Sequence, residues 1–233
     1  MSPAARGAWS TFSKASVCGE GAPCTVTSVK DAEEKYAAGP VYLAHVADWR
    51  LVADQWWRAM PRVHSQYPQL LAEMYAFTMA VANSSLPFSL VSSFMVSDPK
   101  TMSPTEAWAW VDDIAAAHGP AAVCAGADPV TLPAATRARP LPALPTTLHY
   151  CQKYEAAGHL FAKRKVPHDF FKCGGGPMPF NPKQLTGNLT AALAAAGKNK
   201  LRAKVVLRTA FMICHLVPIA NAALASYQLS VCG

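Results

Sequence analysis

Charged side chains are scarce in this sequence and are spread along it. They form 15% of its 233 residues, against 52% hydrophobic residues, a composition that predicts a packed globular protein rather than a disordered one. The formal net charge is +7. Nucleic-acid-binding proteins place such charge on one face of a recognisable module, and the sequence contains no such module. We therefore expect no nucleic-acid partner. A bound phosphate, or simple solubility, is a better explanation of the net positive charge.

The sequence also lacks the Cys-x-x-Cys spacing that zinc ribbons and thioredoxin-like sites use, although it has seven cysteines. Cys151, His159, His168 and Cys173 match none of the regular structural zinc patterns. A disulfide, either Cys151–Cys173 or Cys214–Cys232, is the preferred interpretation. The odd count leaves one thiol unpaired or paired outside the chain.

Evidence on the cellular compartment points in two directions. Sequons for N-glycosylation begin at Asn83 and Asn188, and with the cysteines they favour an oxidising secretory lumen. The first residues hold no apolar run suited to a signal peptide. Either the chain is incomplete at its start, or the assignment to a secretory lumen is wrong. The one membrane candidate, residues 205–229, is interrupted by polar residues, and we predict a buried terminal helix bent at Pro218.

Short patterns suggest the organisation of the N-terminal half. Residues 1–38 are polar and turn-rich and predict a loosely ordered lead-in. Residues 40–46 predict a short buried strand. Asp48 is placed to cap a helix that ends near Pro61.

A second helix is predicted from Pro68 to about residue 83, and it is apolar almost all round, as in a helix buried on most sides. Glu73 lies within it. An enclosed carboxylate is costly unless it is paired or hydrogen-bonded. We therefore expect Glu73 to have a cationic partner, for which the sequence offers His149, Lys163 and Arg164.

The remaining elements are more widely spaced. Residues 88–97 predict a strand, residues 108–117 a short helix and residues 146–154 another strand. Between the last two lies an Ala/Pro-rich stretch, residues 119–145, whose prolines forbid regular structure and predict a surface excursion.

Residues 149–165 concentrate reactive side chains in a chain that has few. Its parts 149–154 and 161–165 together contain an imidazole, a thiol, two phenols and the three consecutive cations Lys163, Arg164 and Lys165. A neutral imidazole binds metal ions, and fixed cations hold phosphate. The combination suggests a site for a metal-bound diphosphate.

A series of short motifs resembles the peptidyl serine α-galactosyltransferase and hydroxyproline O-arabinosyltransferase group of plants and green algae. Each motif is short, and their order along the chain makes the match more specific. They are Gly39-Pro40-Val41-Tyr42 with His45-Val46-Ala47-Asp48-Trp49, then Leu71 to Phe77, then Leu148-His149-Tyr150 with Phe161-Ala162-Lys163.

The resemblance implies a GT-A glycosyltransferase of α/β class, rich in helix here, with residues 39–233 forming its C-terminal part. It implies a UDP-sugar donor, a divalent metal such as manganese, and Ser or hydroxyproline of secreted hydroxyproline-rich proteins as the acceptor. It also implies a Golgi or endoplasmic-reticulum lumen, with membrane association through an N-terminal anchor. The family's nucleotide-binding half and its Asp-x-Asp have no counterpart, since Asp112-Asp113 lacks the spacer. The chain is thus expected to be part of a longer enzyme or a truncated relative.

By this resemblance His149 contacts the metal, Lys163 with Arg164 neutralises the diphosphate, and Glu73 acts at the junction of sugar and acceptor. Each residue also has a simpler interpretation. His149 would be a histidine hydrogen-bonded at a strand end, the cations a solvated turn, and Glu73 a structural ion pair. The alternative function is a non-catalytic lumenal or membrane-associated binding domain derived from the same fold.

Overall fold

The computed structural model describes residues 9, 12–38, 41–89, 91, 95–102, 106, 108–125, 147–150 and 153–232. The chain divides into two compact units, Met1–Val91 and Ser92–Gly233. The described part is mostly helical, with short strands in the second unit. The boundary between units falls after residue 91, whereas the sequence predicted one after residue 38.

All the regular secondary structure among the described residues of the first unit is helical. Its helices are α1 (Lys14–Cys18), α2 (Pro23–Val26), α3 (Val29–Lys35), α4 (Val46–Gln66) and α5 (Ala72–Asn83). The predicted loose lead-in therefore contains three short helices in its described part. Val17, Cys24 and Ala32 are buried in one core cluster with Trp9, and a Cys18–Cys24 disulfide joins α1 to α2.

The segment before α4 is irregular. Residues 41–45 form no strand, although the sequence predicted one over residues 40–46, of which the first lies outside the described part. The ring of Tyr42 is held in a cluster of aromatic side chains. The side chain of His45, rather than that of Asp48, caps α4: its Nδ1 accepts a hydrogen bond from the backbone two residues on, at 3.2 Å. Asp48 lies in the first turn, where its charge favours the helix dipole.

Helix α4 continues through Pro61 to Gln66, so the predicted end near Pro61 is wrong. A proline inside a helix removes one backbone hydrogen bond and strains the preceding turn. Ala59 and Val63, on either side of it, are buried in the core that α4 shares with α5. This packing stabilises the helix across the proline.

Helix α5 is enclosed, as its apolar sequence predicted. Nine of its twelve residues are buried, so it presents more than one face to the core. It packs against α1, α2 and α4 and is the central helix of the first unit.

The second unit contains two pairs of short strands. Strand β1 (Met95–Val96) pairs in parallel with β2 (Thr147–Leu148), and β3 (Lys153–Ala156) pairs antiparallel with β4 (His159–Ala162). Ala157 and Gly158 between β3 and β4 have φ of 51° and 79°, as a two-residue type I′ hairpin turn requires. A strand was predicted over residues 88–97. Among the described residues of that range, only β1 forms a strand. The strand predicted over 146–154 is divided between β2 and β3.

The helices of the second unit are α6 (Trp108–His118), α7 (Pro182–Ala196) and α8 (Lys200–Val231), with 3₁₀ turns at Pro120–Cys124 and Lys163–Lys165. Helix α6 confirms the prediction for residues 108–117. The predicted excursion at 119–145 begins with the first 3₁₀ turn, and its residues 126–145 lie outside the described part.

Helix α8 is the predicted terminal helix, with Pro218 inside it. Its stretch from Arg208 to Cys214 is buried in the core of the second unit. Within the described part of the chain, α8 is also the one helix that is long and apolar enough to cross a membrane, and 44% of its most apolar window is buried.

Two disulfides attach α8 to the rest of the second unit. They join Cys124 to Cys214 and Cys173 to Cys232. The predicted pairs are wrong, because Cys173 and Cys214 have different partners from those expected. Cys151 lies outside the described residues.

Candidate functional site

His149 lies directly after β2, beside the end of β1. Its backbone N–H donates to Val96 O at 3.0 Å, which extends the parallel register by one residue. That register places His149 opposite Ser97, and the histidine Nδ1 lies 3.1 Å from Ser97 Oγ. The interpretation of His149 as a hydrogen-bonded histidine at a strand end is therefore confirmed, and a ligand role remains compatible with it.

Ser97 is itself fixed from several directions. Its backbone N–H donates to Glu106 Oε2 at 2.6 Å, and the hydroxyl of Tyr154 donates to Ser97 O at 2.7 Å. Glu106 Oε2 also accepts a hydrogen bond from Trp108 Nε1 at 2.8 Å. Ser97, Glu106, Trp108 and Tyr154 are all buried. His149 thus rests on a rigid polar support, here called the Ser97 support.

The surroundings of His149 favour its neutral form. Burial lowers the pKa of His149 below its usual value, the carboxylate of Glu106 raises it, and the charge of Lys163 lowers it further. A neutral imidazole carries a proton on one ring nitrogen and a lone pair on the other. When Nδ1 donates to Ser97 Oγ, the lone pair is on Nε2. This is the state in which a histidine binds a metal or accepts a proton.

Lys163 and Arg164 belong to the 3₁₀ turn that follows β4, and both are exposed. Phe161, two positions before Lys163, is buried, but the strand ends at Ala162 and the alternation of faces ends with it. Lys163 is therefore exposed, and its charge lowers the pKa of His149.

Glu73 lies in the first turn of α5 and is exposed, so the predicted enclosed carboxylate is wrong. Its position at a helix N-terminus favours a negative charge without any cationic partner. Its backbone carbonyl accepts a hydrogen bond from Trp56 Nε1 at 3.0 Å. Glu73 belongs to the first unit, whereas His149 and Lys163 belong to the second.

The described residues supply only part of the manganese site that the resemblance implies. Across the described ranges, no three side chains of His, Cys, Asp or Glu are grouped so as to hold a metal ion. His149 would supply one ligand, which does not make a complete site, and we derive no chemical step through a metal. Cys173 is not available as a zinc ligand, because it forms a disulfide with Cys232.

Asp112 has a structural role that the sequence did not indicate. It pairs with Arg208 at 2.7 Å and with Lys204 at 3.0 Å, both on α8. Ser97, Glu106 and Tyr154 were also missed as neighbours of His149. The only signal for Ser97 was its position at the end of an apolar run, which does not reveal the strand it pairs with.

Comparisons of the chain with protein-family models, with curated proteins and with solved structures found no match.

Proposed function

We propose that the chain belongs to a glycosyltransferase that moves a sugar from a UDP-sugar to Ser or hydroxyproline of secreted hydroxyproline-rich proteins. The proposal includes a GT-A-like fold, a divalent metal such as manganese, and a Golgi or endoplasmic-reticulum lumen. The motif series around His149 and Lys163 suggests this activity. The disulfides support an oxidising compartment, because such bonds persist there.

The observation that carries the proposal is the pairing of His149 with the Ser97 support. A histidine that serves as a ligand must be neutral and must have one ring nitrogen fixed by a second group, so that the other is directed at the ligand. His149 meets both requirements, since burial lowers its pKa and Ser97 Oγ holds Nδ1.

In this proposal each residue has a distinct task. His149 Nε2 would supply one ligand to the metal. Lys163, with Arg164, attracts the diphosphate to the same end of the second unit; both are exposed and can reach a ligand from solvent. Glu73 orients the acceptor hydroxyl or accepts its proton.

The second candidate is a non-catalytic binding domain, lumenal or membrane-associated, derived from the same fold. The exposure of Glu73, Lys163 and Arg164 favours it. Charges in contact with water are screened, and they stabilise a transition state far less than charges in an enclosed site. Such charges are sufficient to hold an anionic or hydroxylated partner at a surface.

Isothermal titration of UDP-galactose or UDP-glucose into the chain, with and without Mn²⁺, tests the donor site. We expect Mn²⁺-dependent heat that H149A abolishes and that K163Q weakens by about tenfold, the loss of one charge-assisted contact. K165Q, in the same exposed turn, is the matched control and should bind as the wild type does. Absence of heat with both nucleotides contradicts the donor-binding proposal.

A transfer assay on a hydroxyproline-rich peptide separates the two candidates. The transferase predicts sugar on the peptide and a slower rate for E73Q with unchanged donor affinity. The binding domain predicts peptide affinity without any transferred sugar.

A further inference from the structure

The net positive charge of the chain comes from its C-terminal part. Asp169 is the last acidic residue of the sequence, and residues 170–233 contain seven lysines and arginines, which equals the formal net charge of +7. Residues 1–169 carry equal numbers of acidic and basic side chains. A strong excess of one sign in one part of a chain is typical of proteins that contact an anionic surface or polymer. Such a contact is expected where these cations are exposed.

Three of the seven cations lie at the corner between α7 and α8. Helix α7 ends at Ala196 and α8 begins at Lys200, with Asn199 as its N-cap. Residues 197–202 are exposed without interruption, so the corner projects into solvent. These six residues, here called the basic corner, include the cations Lys198, Lys200 and Arg202.

The cations of the basic corner have no acidic partner in the described part of the chain. Within the described ranges, none of Lys198, Lys200 and Arg202 belongs to an ion pair. Asp112, which contacts α8, is already paired with Lys204 and Arg208. The three charges therefore remain available to a partner in solution.

Leu201 places an exposed apolar side chain in the middle of these charges. Its side chain is 51% exposed. Lys200 and Arg202 are two positions apart in the first turn of α8, so they leave the helix on nearly opposite sides, with Leu201 between them. The cations thus flank an apolar side chain at a projecting end and do not form a row along one face.

This arrangement favours a lipid surface over a nucleic acid. At a membrane, cations contact the phosphate groups while an apolar side chain enters the boundary between headgroups and acyl chains. A nucleic acid is bound by cations that follow its backbone and, when single-stranded, by aromatic side chains that stack on its bases. Residues 181–210 contain no aromatic residue, so this segment supplies no ring for a base to stack on.

We propose that the basic corner docks on a membrane surface that contains anionic phospholipids. Lys198, Lys200 and Arg202 contact the lipid phosphates, and Leu201 enters the boundary below them. Three cations with one apolar side chain give a reversible contact, because a stable anchor needs far more buried apolar area. The site goes beyond the proposed transferase activity and does not depend on it.

Co-sedimentation of the full chain with sucrose-loaded vesicles tests the proposal. At about millimolar accessible lipid, vesicles of phosphatidylcholine with phosphatidylserine should bind the chain about a hundredfold more tightly than phosphatidylcholine alone, since each cation adds about fivefold. This preference should largely disappear between about 0.1 M and about 1 M salt, because salt screens exposed charges. Equal binding to both kinds of vesicle, or a preference that salt does not reduce, contradicts the proposal.

Two triple variants with the same loss of charge locate the contact. They are K198Q/K200Q/R202Q in the basic corner and K30Q/R50Q/K165Q at exposed positions elsewhere. The corner variant should lose the preference for anionic vesicles, and the control variant should keep it, both with the melting temperature of the wild type. Equal losses in the two variants would show that the net charge of the chain, rather than the basic corner, binds the membrane.

A third variant and a competitor identify the class of partner. L201S should weaken binding to the anionic vesicles by about tenfold, because it removes the apolar contact and no charge. A DNA duplex at the same phosphate concentration should leave the chain on the vesicles. Wild-type affinity in L201S, or release of the chain by DNA, would show that the corner binds phosphate polymers in general and would overturn the assignment to a membrane.

Discussion

Arg208 on α8 holds both carboxylate oxygens of Asp112 on α6. Its Nε lies 2.9 Å from Oδ1 and its NH2 lies 2.7 Å from Oδ2. The same guanidinium donates to Thr101 O at 2.8 Å and lies over the ring of Trp108. These contacts compensate the charge of Arg208, which is buried inside the second unit.

We therefore expect D112N to destabilise the protein by about 3–5 kcal/mol, because it leaves Arg208 buried without its counter-charge. Chemical denaturation of the purified chain measures this free energy of unfolding. D113N is the matched control, since Asp113 is the next residue of α6 and is exposed. Equal stability of the two variants would show that the ion pair contributes little.

Asp112 also predicts a loss of stability in acid. Burial alone would raise its pKa, but hydrogen bonds from Arg208 and Lys204 hold the pKa of Asp112 below its ordinary value. The pair therefore stabilises the fold at pH values above about 4, the unfolded pKa of an aspartate, and its contribution is lost as the pH falls through the lower folded pKa. Unfolding free energy measured from about pH 5 to pH 2 should fall less steeply in D112N than in D113N.

Helices α4 and α5 of the first unit show what the sequence could and could not predict. The composition of α5 was sufficient to predict burial, because an element that is apolar all round has no favourable place at a surface. The end of α4 was not predictable in the same way. Pro61 normally ends a helix, and only the burial of Ala59 and Val63 against another helix overcomes its local effect.

The candidate site shows a second limit. The sequence singled out His149, but it did not indicate Ser97, which is 52 residues away. That contact depends on which strands pair and in which register, and both are set by packing between distant segments. Glu73 illustrates the opposite error: an apolar helix does not bury every position, and Glu73 in the first turn of α5 is exposed although Ala72 beside it is buried.

Two partly buried histidines predict a second pH dependence near neutrality. Burial lowers the pKa of both His149 and His215. The unfolded chain therefore takes up protons at these positions at a higher pH than the folded chain does, and acidification below about pH 6.5 favours unfolding. Urea denaturation between about pH 7.5 and 5 should show stability falling with pH, less steeply in H149Q and in H215Q.

The disulfide pairing can be read directly from peptides. Digestion without reduction, followed by mass spectrometry, should yield Cys124 linked to Cys214 and Cys173 linked to Cys232. A Cys151–Cys173 peptide would contradict this arrangement. Because the first bond closes a loop of about 90 residues, the double variant C124S/C214S should lose about 2–5 kcal/mol of stability.

The two sequons are expected to differ in occupancy when the chain is expressed through a secretory pathway. Asn83 is the last residue of α5, and its Nδ2, the atom that would carry the glycan, donates to Gln55. Asn188 is exposed on α7, and its Nδ2 makes only a long contact of 3.3 Å with Ala157 O. A glycan at Asn188 extends into solvent, whereas one at Asn83 displaces a hydrogen bond within the first unit.

Enzymatic removal of N-glycans and mass measurement should therefore show one glycan, which N188Q eliminates and N83Q does not. A chain that carries its glycan at Asn83 instead would mean that α5 is not folded against α4 when the glycan is attached. A chain directed into that pathway that carries no glycan would contradict the exposure of Asn188 on α7.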